Sequence, residues 1–153
     1  MHRLQARIPP PILCALVAFL MWAGVRALGT LAPAHGMRLA ATVAVGLTGL
    51  LFAAPAFRAF GRAGTTIDPT RPQAASALVT TGIYAVTRNP MYVSLTALLL
   101  TWALWLGAPA AVLGPAGFAL YITRLQIMPE ERALLAKFGE SYTAYRQRVR
   151  RWL

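Results

Sequence analysis

Residues 80–92 read TTGIYAVTRNPMY, and from residue 89 to residue 123 the chain contains no Asp, Glu, Lys or Arg. Arg88 is therefore the last charged residue before the longest uncharged run of the sequence. As one helix, this run would measure about 52 Å at 1.5 Å per residue, whereas the hydrocarbon core of a membrane is roughly 30 Å thick. The run must fold back on itself, and Gly107–Ala108–Pro109 is the predicted turn because Gly and Pro favour turns.

The composition of the whole chain also indicates a membrane protein. Hydrophobic residues make up 58% of the 153 residues and only 12% are charged, which is unusual for a soluble fold. The length predicts a single domain over residues 1–153. We therefore predict an all-α polytopic membrane protein, with about four transmembrane helices and a cytoplasmic amphipathic C-terminal helix. The predicted spans and the C-terminal helix cover residues 11–31, 38–57, 91–107, 110–127 and 129–150.

Two further features of the last third predict local structure. Gly114, Pro115 and Gly117 in the fourth span predict a kink or a locally opened backbone. Pro129, followed by Glu130 and Glu131, predicts the start of a new helix, because Pro suits the first helical position and acidic residues suit the first turn. Apolar residues then recur every three or four positions up to residue 152, which is typical of an interfacial helix, with a predicted break at Gly139.

The distribution of basic residues predicts the orientation in the membrane. Thirteen of the 15 basic residues precede span one, lie between spans two and three, or follow span four. The positive-inside rule then places both termini in the cytoplasm, and we expect a bacterial inner membrane. A cleaved signal peptide is the competing interpretation of the N-terminus, but Arg26 interrupts the expected cleavage region. The net charge of +11 favours anionic lipid headgroups over nucleic acid as partner, because the basic residues flank membrane segments.

The scarcity of acidic and histidine residues excludes several kinds of site. The chain has four acidic residues, two histidines and one cysteine. His2 and His35 lie far in sequence from the polar motif, so we expect no metal site and no Ser-His-Asp triad. Cys14 lies within span one, and a lone cysteine forms no intramolecular disulfide.

The segment between Gly82 and Pro90 contains many hydrogen-bonding groups for a position at a membrane surface. Gly82 permits backbone angles closed to other residues, and Pro90 disfavours a helical conformation at Asn89. We therefore expect irregular backbone up to a helix that begins at about Met91. One interpretation is a small-ligand site; the other is an ordinary helix start, with Tyr84 and Tyr92 in the aromatic belt of the membrane.

A resemblance to a known family favours the ligand site. The pattern Gly-x-Tyr-x-x-x-Arg-Asn-Pro-x-Tyr of residues 82–92 is followed by Glu130–Glu131, by Phe138–Gly139 with Tyr142 and Tyr145, and by Val-Arg-Arg-Trp at 149–152. In this order and spacing, the chain resembles the isoprenylcysteine carboxyl methyltransferase family and its phospholipid methyltransferase relatives. The resemblance covers roughly residues 65–153.

The resemblance implies an S-adenosylmethionine-dependent methyltransferase whose site lies at the cytoplasmic ends of the last two membrane helices. Three residues are implied in catalysis, namely Arg88, Asn89 and Arg124. The residues implied in cofactor binding are Leu78, Val79, Tyr84, Asn89, Pro90, Met91, Tyr92, Glu130 and Glu131.

Two positions depart from the eukaryotic members of the family. Asn89 stands where those enzymes carry His, and an amide cannot shuttle a proton near neutral pH. Gln126 stands where they use an Arg for the prenylcysteine carboxylate, and Arg124 lies two positions earlier on another helix face. The identity of the methyl acceptor therefore stays open between a lipid amine, an isoprenoid or lipid carboxylate, and a small hydrophobic thiol or alcohol.

The expected acceptor is lipophilic and reaches the site laterally from the bilayer, between the last two spans near Gly114 and Pro115. Two other functions remain possible on the sequence alone. One is a non-catalytic membrane scaffold or lipid-binding protein of the same fold. The other is a membrane reductase with a similar C-terminal pattern, which would need a nicotinamide pocket. Nothing in the pattern predicts an oligomeric state.

Overall fold

The computed structural model describes residues 8–28, 35–63 and 77–153, and over these ranges the protein is all-α, as predicted. Its five α-helices are α1 (Pro10–Leu28), α2 (His35–Ala63), α3 (Pro90–Leu106), α4 (Leu113–Ile122) and α5 (Met128–Arg148). Short 3-10 turns occupy Gly82–Ala85 and Pro109–Val112, and a π-helical segment occupies Thr123–Ile127. Within the described residues, Thr87 and Arg150 form an isolated parallel β-bridge.

Three helical runs are long and apolar enough to cross a membrane: α1, Arg38–Ala59 within α2, and Pro109–Arg148. Helix α3 is equally apolar but has 17 residues. Helix α2 continues to Ala63, past the predicted end at residue 57, so that Arg58 lies on the helix and not in a loop. Residues 64–76, which connect α2 to the polar motif and include Asp68, lie outside the described residues, as do Arg3 and Arg7.

Helix α3 lies at the centre of the described bundle and contacts α1, α2 and α4. The contact with α2 is close because α2 presents glycines: a Cβ at Gly49 would lie 3.3 Å from Cβ of Ala97. On the opposite side, the indole nitrogen of Trp102 donates a hydrogen bond of 3.0 Å to the carbonyl of Ala18. Many large apolar side chains of α1 and α2 are exposed, as expected for helices that face lipid.

The predicted helix start at Pro129 agrees with α5 to within one residue, since α5 begins at Met128 and carries Glu130 and Glu131 in its first turn. No loop precedes this start, because the backbone stays helical from α4 through the π-helical segment into α5. A proline ring clashes with the carbonyl four residues earlier in a regular helix, and the wider π-helical turn just before Pro129 accommodates it. The kink or opened backbone predicted at Gly114, Pro115 and Gly117 does not lie within α4, which runs from Leu113 to Ile122; the irregular backbone lies just before it, in the 3-10 turn Pro109–Val112. Gly114 and Pro115 lie in the first turn of α4, where proline is tolerated.

The break predicted at Gly139 is confirmed. Its φ of 52° and ψ of −122° interrupt α5, and such angles are accessible mainly to glycine. Tyr142 and Tyr145, after the break, are buried. Beyond α5 the backbone becomes extended at Val149, and the amide of Arg88 donates a 2.9 Å hydrogen bond to the carbonyl of Arg150. The break and the extended end thus bring the last residues against the polar motif.

Candidate functional site

A cavity of about 940 Å³ lies where the N-terminus of α3 meets α2 and the first turn of α5. Ten of the eleven residues that the sequence predicts for the site line this cavity. They are Leu78, Val79, Tyr84, Arg88, Asn89, Pro90, Met91, Tyr92, Glu130 and Glu131. The eleventh, Arg124, is exposed and does not line the cavity. Its catalytic role stays a prediction that its position does not favour.

The polar motif adopts the irregular backbone that its glycine and proline predict. Gly82 has a φ of 62° and starts the 3-10 turn, in which Tyr84 is buried. The hydroxyl of Tyr145 donates a 2.7 Å hydrogen bond to the carbonyl of Tyr84 and so fixes the turn against α5. Asn89 is non-helical, with φ −132° and ψ 54°, and Pro90 opens α3. The motif therefore enters the cavity wall as a loop and leaves it as a helix.

Glu130 is held by two side chains from the membrane helices. Its Oε1 accepts a 2.6 Å hydrogen bond from the Tyr92 hydroxyl and a 3.0 Å hydrogen bond from Nε2 of Gln126. Glu130 follows the apolar part of span four. Burial, with a smaller contribution from Glu131, raises the pKa of its carboxyl to about 7, against the lowering effect of its two hydrogen bonds. Gln126 thus orients an acid, a role that the sequence did not predict.

Glu131 forms the second polar cluster, with two arginines. Its Oε1 lies 3.0 Å from Nη1 of Arg88, and Arg151 donates two hydrogen bonds to the same carboxylate, of 2.9 and 2.7 Å. The pKa of Arg151 is raised, mainly by these hydrogen bonds. Nη1 of Arg88 also donates to the hydroxyl of Tyr142, at 3.3 Å. Nε of Arg88 is buried without a hydrogen-bond partner among the described residues.

The phenols around the cavity act as hydrogen-bonding groups and not as bases. Burial raises the pKa of Tyr84, Tyr142 and Tyr145 above the ordinary tyrosine value. These side chains therefore stay protonated at neutral pH, so that each can donate one hydrogen bond.

The side chain of Asn89 is fixed by the end of the chain. Its Nδ2 donates a 2.9 Å hydrogen bond to the carbonyl of Arg151, which also accepts a 3.2 Å hydrogen bond from the hydroxyl of Thr87. Thr87 is completely buried. Sequence reasoning missed Thr87 and Arg151; the only available signal was the Val-Arg-Arg-Trp pattern at residues 149–152, which carries no indication of its partner.

The cavity continues as an apolar groove along α2 and α3. Gly46, Gly49 and Ala53 line it from α2, and Leu95 and Leu98 line it from α3. This extension lies between the second and third spans and not between the last two, where lateral access was predicted. Near the predicted opening, a Cβ at Gly114 would overlap the side chain of Met21, so α1 packs closely against α4 there.

Comparison with known proteins gives one family and one relative. The family model for phospholipid methyltransferase matches residues 37–141. An uncharacterized protein from Haemophilus influenzae is 52% identical over 63 residues, which are 41% of this chain and 100% of that protein. No solved structure matches. The family match spans α2, the polar motif, α3, α4 and the first half of α5, so it includes every helix that lines the cavity except α1. The chain therefore belongs to the phospholipid methyltransferase family, whose members are S-adenosylmethionine-dependent methyltransferases with lipid-like acceptors.

Proposed function

We propose that this protein is an integral membrane methyltransferase that uses S-adenosylmethionine to methylate a lipophilic acceptor at the cytoplasmic face of the membrane. One observation carries the proposal: residues from three separate parts of the chain, 78–84, 88–92 and 130–131, converge on a single cavity that continues into an apolar groove. A polar chamber joined to an apolar channel is what a reaction between a water-soluble donor and a lipid requires.

The residues of the cavity fit the proposed cofactor. S-adenosylmethionine carries an ammonium group, a carboxylate, ribose hydroxyls and an adenine. Glu130 offers a carboxylate to the ammonium or the hydroxyls, and Nε of Arg88, which has no hydrogen-bond partner among the described residues, offers a donor to the carboxylate. A cavity of about 940 Å³ is within the usual size of small-molecule sites. The remaining proposed contacts are Leu78, Val79, Tyr84, Asn89, Pro90, Met91, Tyr92 and Glu131.

The bound cofactor supplies an activated methyl group. The protein therefore has to hold the two reactants in position and exclude water, and it does not have to supply a metal or a strong base. The hydrogen bonds from Tyr92 and Gln126 hold the Glu130 carboxylate in one orientation. The apolar walls on α2 and α3 exclude water from the acceptor's path. Fixed groups in a water-poor cavity interact more strongly with a ligand than the same groups in solvent.

The charges in the cavity favour a lipid amine over a carboxylate as the acceptor. Among the described residues, three charged ones line it, Arg88, Glu130 and Glu131, and the guanidinium of Arg88 is already paired with Glu131. Arg124, the candidate partner for an acceptor carboxylate, lies outside the cavity. The groove follows α2 from Phe57 to Thr42, which is roughly 22 Å of helix, enough for one hydrocarbon chain.

The direct test supplies radiolabelled S-adenosylmethionine and total membrane lipids to the purified protein in detergent. We expect label in an amine-containing lipid fraction, and we expect the demethylated product, S-adenosylhomocysteine, to bind. Absence of both S-adenosylhomocysteine binding and lipid labelling would instead support a non-catalytic scaffold or lipid-binding protein. Binding of a reduced nicotinamide in place of S-adenosylhomocysteine would support the reductase alternative.

The raised pKa of Glu130 predicts a pH dependence of cofactor binding. With a pKa of about 7, the side chain is mostly protonated below about pH 6 and mostly ionised above about pH 8. Because an ionised carboxylate attracts a ligand ammonium, affinity for S-adenosylhomocysteine should rise by up to about tenfold across this window. Isothermal titration calorimetry at several pH values measures the affinity, and Glu130→Gln should remove the dependence.

Folding stability should change in the opposite direction. The folded protein binds the Glu130 proton more tightly than the unfolded chain does, because burial raises the pKa from 4.5 to about 7. The contribution of this group to stability is therefore fully present below the unfolded pKa and is lost as the pH rises through about 7. If affinity rises while stability falls with increasing pH, the changes can be attributed to ionisation of Glu130 and not to a general effect of pH on the protein. If both rise or both fall, the attribution to Glu130 is contradicted.

A further inference from the structure

The last residues of the chain lie along the polar motif, and we call residues 149–152 the tail. The tail is extended from Val149 onward, and Arg150 forms a parallel bridge with Thr87. The indole nitrogen of Trp152 donates a 3.2 Å hydrogen bond to the hydroxyl of Thr123 in the π-helical segment. The tail is therefore attached to both the motif and span four, although more than 55 residues of sequence separate it from the motif.

Arg151 contacts the site through both its backbone and its side chain. Its carbonyl accepts the hydrogen bonds from Asn89 and Thr87, and its guanidinium donates two hydrogen bonds to Glu131. Paired bonds between a guanidinium and a carboxylate fix direction as well as distance. The side chains of Arg148 and Arg150 are exposed, so this arrangement sets Arg151 apart from the general basic character of the helix end.

The backbone contact determines which groups Asn89 presents to a ligand. A planar amide has its donor nitrogen and its acceptor oxygen on opposite sides. Because one N–H of Nδ2 of Asn89 donates to the carbonyl of Arg151, Oδ1 and the second N–H are the groups left for a ligand in the cavity. The tail therefore fixes the orientation of the Asn89 amide, a residue that lines the cavity.

The side-chain contact determines the position of Arg88. Glu131 is shared between Arg151 and Arg88, and the side chain of Arg88 is 10% exposed. With Glu131 held from the other side by Arg151, Arg88 keeps its Nη1 on Glu131 and Tyr142. Arg88, which lines the cavity and whose buried Nε has no hydrogen-bond partner among the described residues, is thereby held in one conformation.

We propose that Arg151 is a positioning residue, and that the tail acts through it as a clamp that orients Asn89 and Arg88 toward the ligand. The inference rests on the proposed function, because the ligand in question is the methyl donor or its demethylated product. Arg151 does not line the cavity, so it acts through the residues that do.

The test is a double-mutant cycle on the binding of S-adenosylhomocysteine to the full-length protein in detergent. Arg151→Met removes the guanidinium but keeps a long side chain, and it should raise the Kd by about tenfold. In an Arg88→Met background, the same substitution should change the Kd by less than about twofold, because the side chain that the Arg151 guanidinium positions through Glu131 is already gone. Arg148→Met is the matched control, since Arg148 is exposed on the same helix end, and should leave the Kd unchanged.

A merely structural role for the tail predicts a different result. The fold-increase in Kd caused by Arg151→Met would then be the same in both backgrounds. That result would overturn the clamp, and so would an unchanged Kd in the single variant. If Arg151→Met does not purify as a folded protein, Arg151→Lys keeps the charge and loses the paired geometry, and the same dependence on Arg88 is expected. Failure of the wild-type protein to bind would overturn the proposed function and the clamp together. Normal wild-type binding without the dependence would overturn the clamp alone.

Discussion

Replacement of Glu130 by Ala should weaken the binding of S-adenosylhomocysteine by about 100-fold. The carboxylate of Glu130 is fixed by Tyr92 and Gln126 at the wall of the cavity. A hydrogen bond to a charged group contributes roughly 1.5–3 kcal/mol, and about 2.8 kcal/mol corresponds to a factor of 100 in Kd. Titration calorimetry on the detergent-purified protein measures this loss. The rate of methyl transfer to the lipid that acquires radiolabel should fall by at least the same factor at low cofactor concentration.

Glu140 is the matched control for this prediction, because it is an exposed glutamate on the same helix. Glu140→Ala should leave the Kd within about twofold of the wild-type value. Tyr92→Phe should give an intermediate loss, since it removes only the hydroxyl that orients the carboxylate. Unaltered binding in both Glu130→Ala and Tyr92→Ala would show that the ligand does not occupy this cavity.

Replacement of Glu131 by Ala should cause the largest loss of stability among the site variants. Glu131 lies between two guanidiniums, and both its side chain and that of Arg88 are nearly buried, at 11% and 10% exposure. Removal of one partner of a buried ion pair costs roughly 3–5 kcal/mol, because the remaining charge is left uncompensated. The melting temperature, followed by tryptophan fluorescence in detergent, should fall by roughly 10 °C.

A second substitution separates the buried charge from simple loss of side-chain packing. In the double variant Arg88→Met with Glu131→Ala, the buried cation is gone as well, so part of the lost stability should return. If the double variant were less stable than Glu131→Ala alone, the unpaired charge would not be the cause. Glu140→Ala serves again as the control and should change the melting temperature little.

The membrane helices could be predicted from the sequence because apolar runs and flanking charges are local signals. Helix α3 agrees with its prediction to within one residue at each end, since Pro90 and Gly107 define both ends. The end of α2 was missed because Arg58 and the glycine at position 61 resemble a loop. The continuous backbone from α4 into α5 was missed because no residue pattern distinguishes a π-helical turn from a helix boundary at Pro129.

The residues of the candidate site were predicted from the family resemblance, but their geometry could not be predicted from the sequence. Physical reasoning identifies a polar segment at a membrane boundary, but it does not reveal that Glu131 and Arg151 meet across 20 residues or that the tail accepts a hydrogen bond from Asn89. Gln126 and Arg124 illustrate the difficulty. Two positions differ by about 200° around a helix, so one side chain is buried next to Glu130 while the other is exposed.

The length of α3 determines the depth at which a substrate would meet the site. Its 17 residues extend over about 25 Å, several ångströms less than the hydrocarbon thickness of an average bilayer. When the far end of α3 is level with one surface of the hydrocarbon layer, Asn89 and Pro90 lie below the other surface. A lipid molecule could then present its headgroup to the site while its tails stay among those of its neighbours, without the energetic cost of extraction into water.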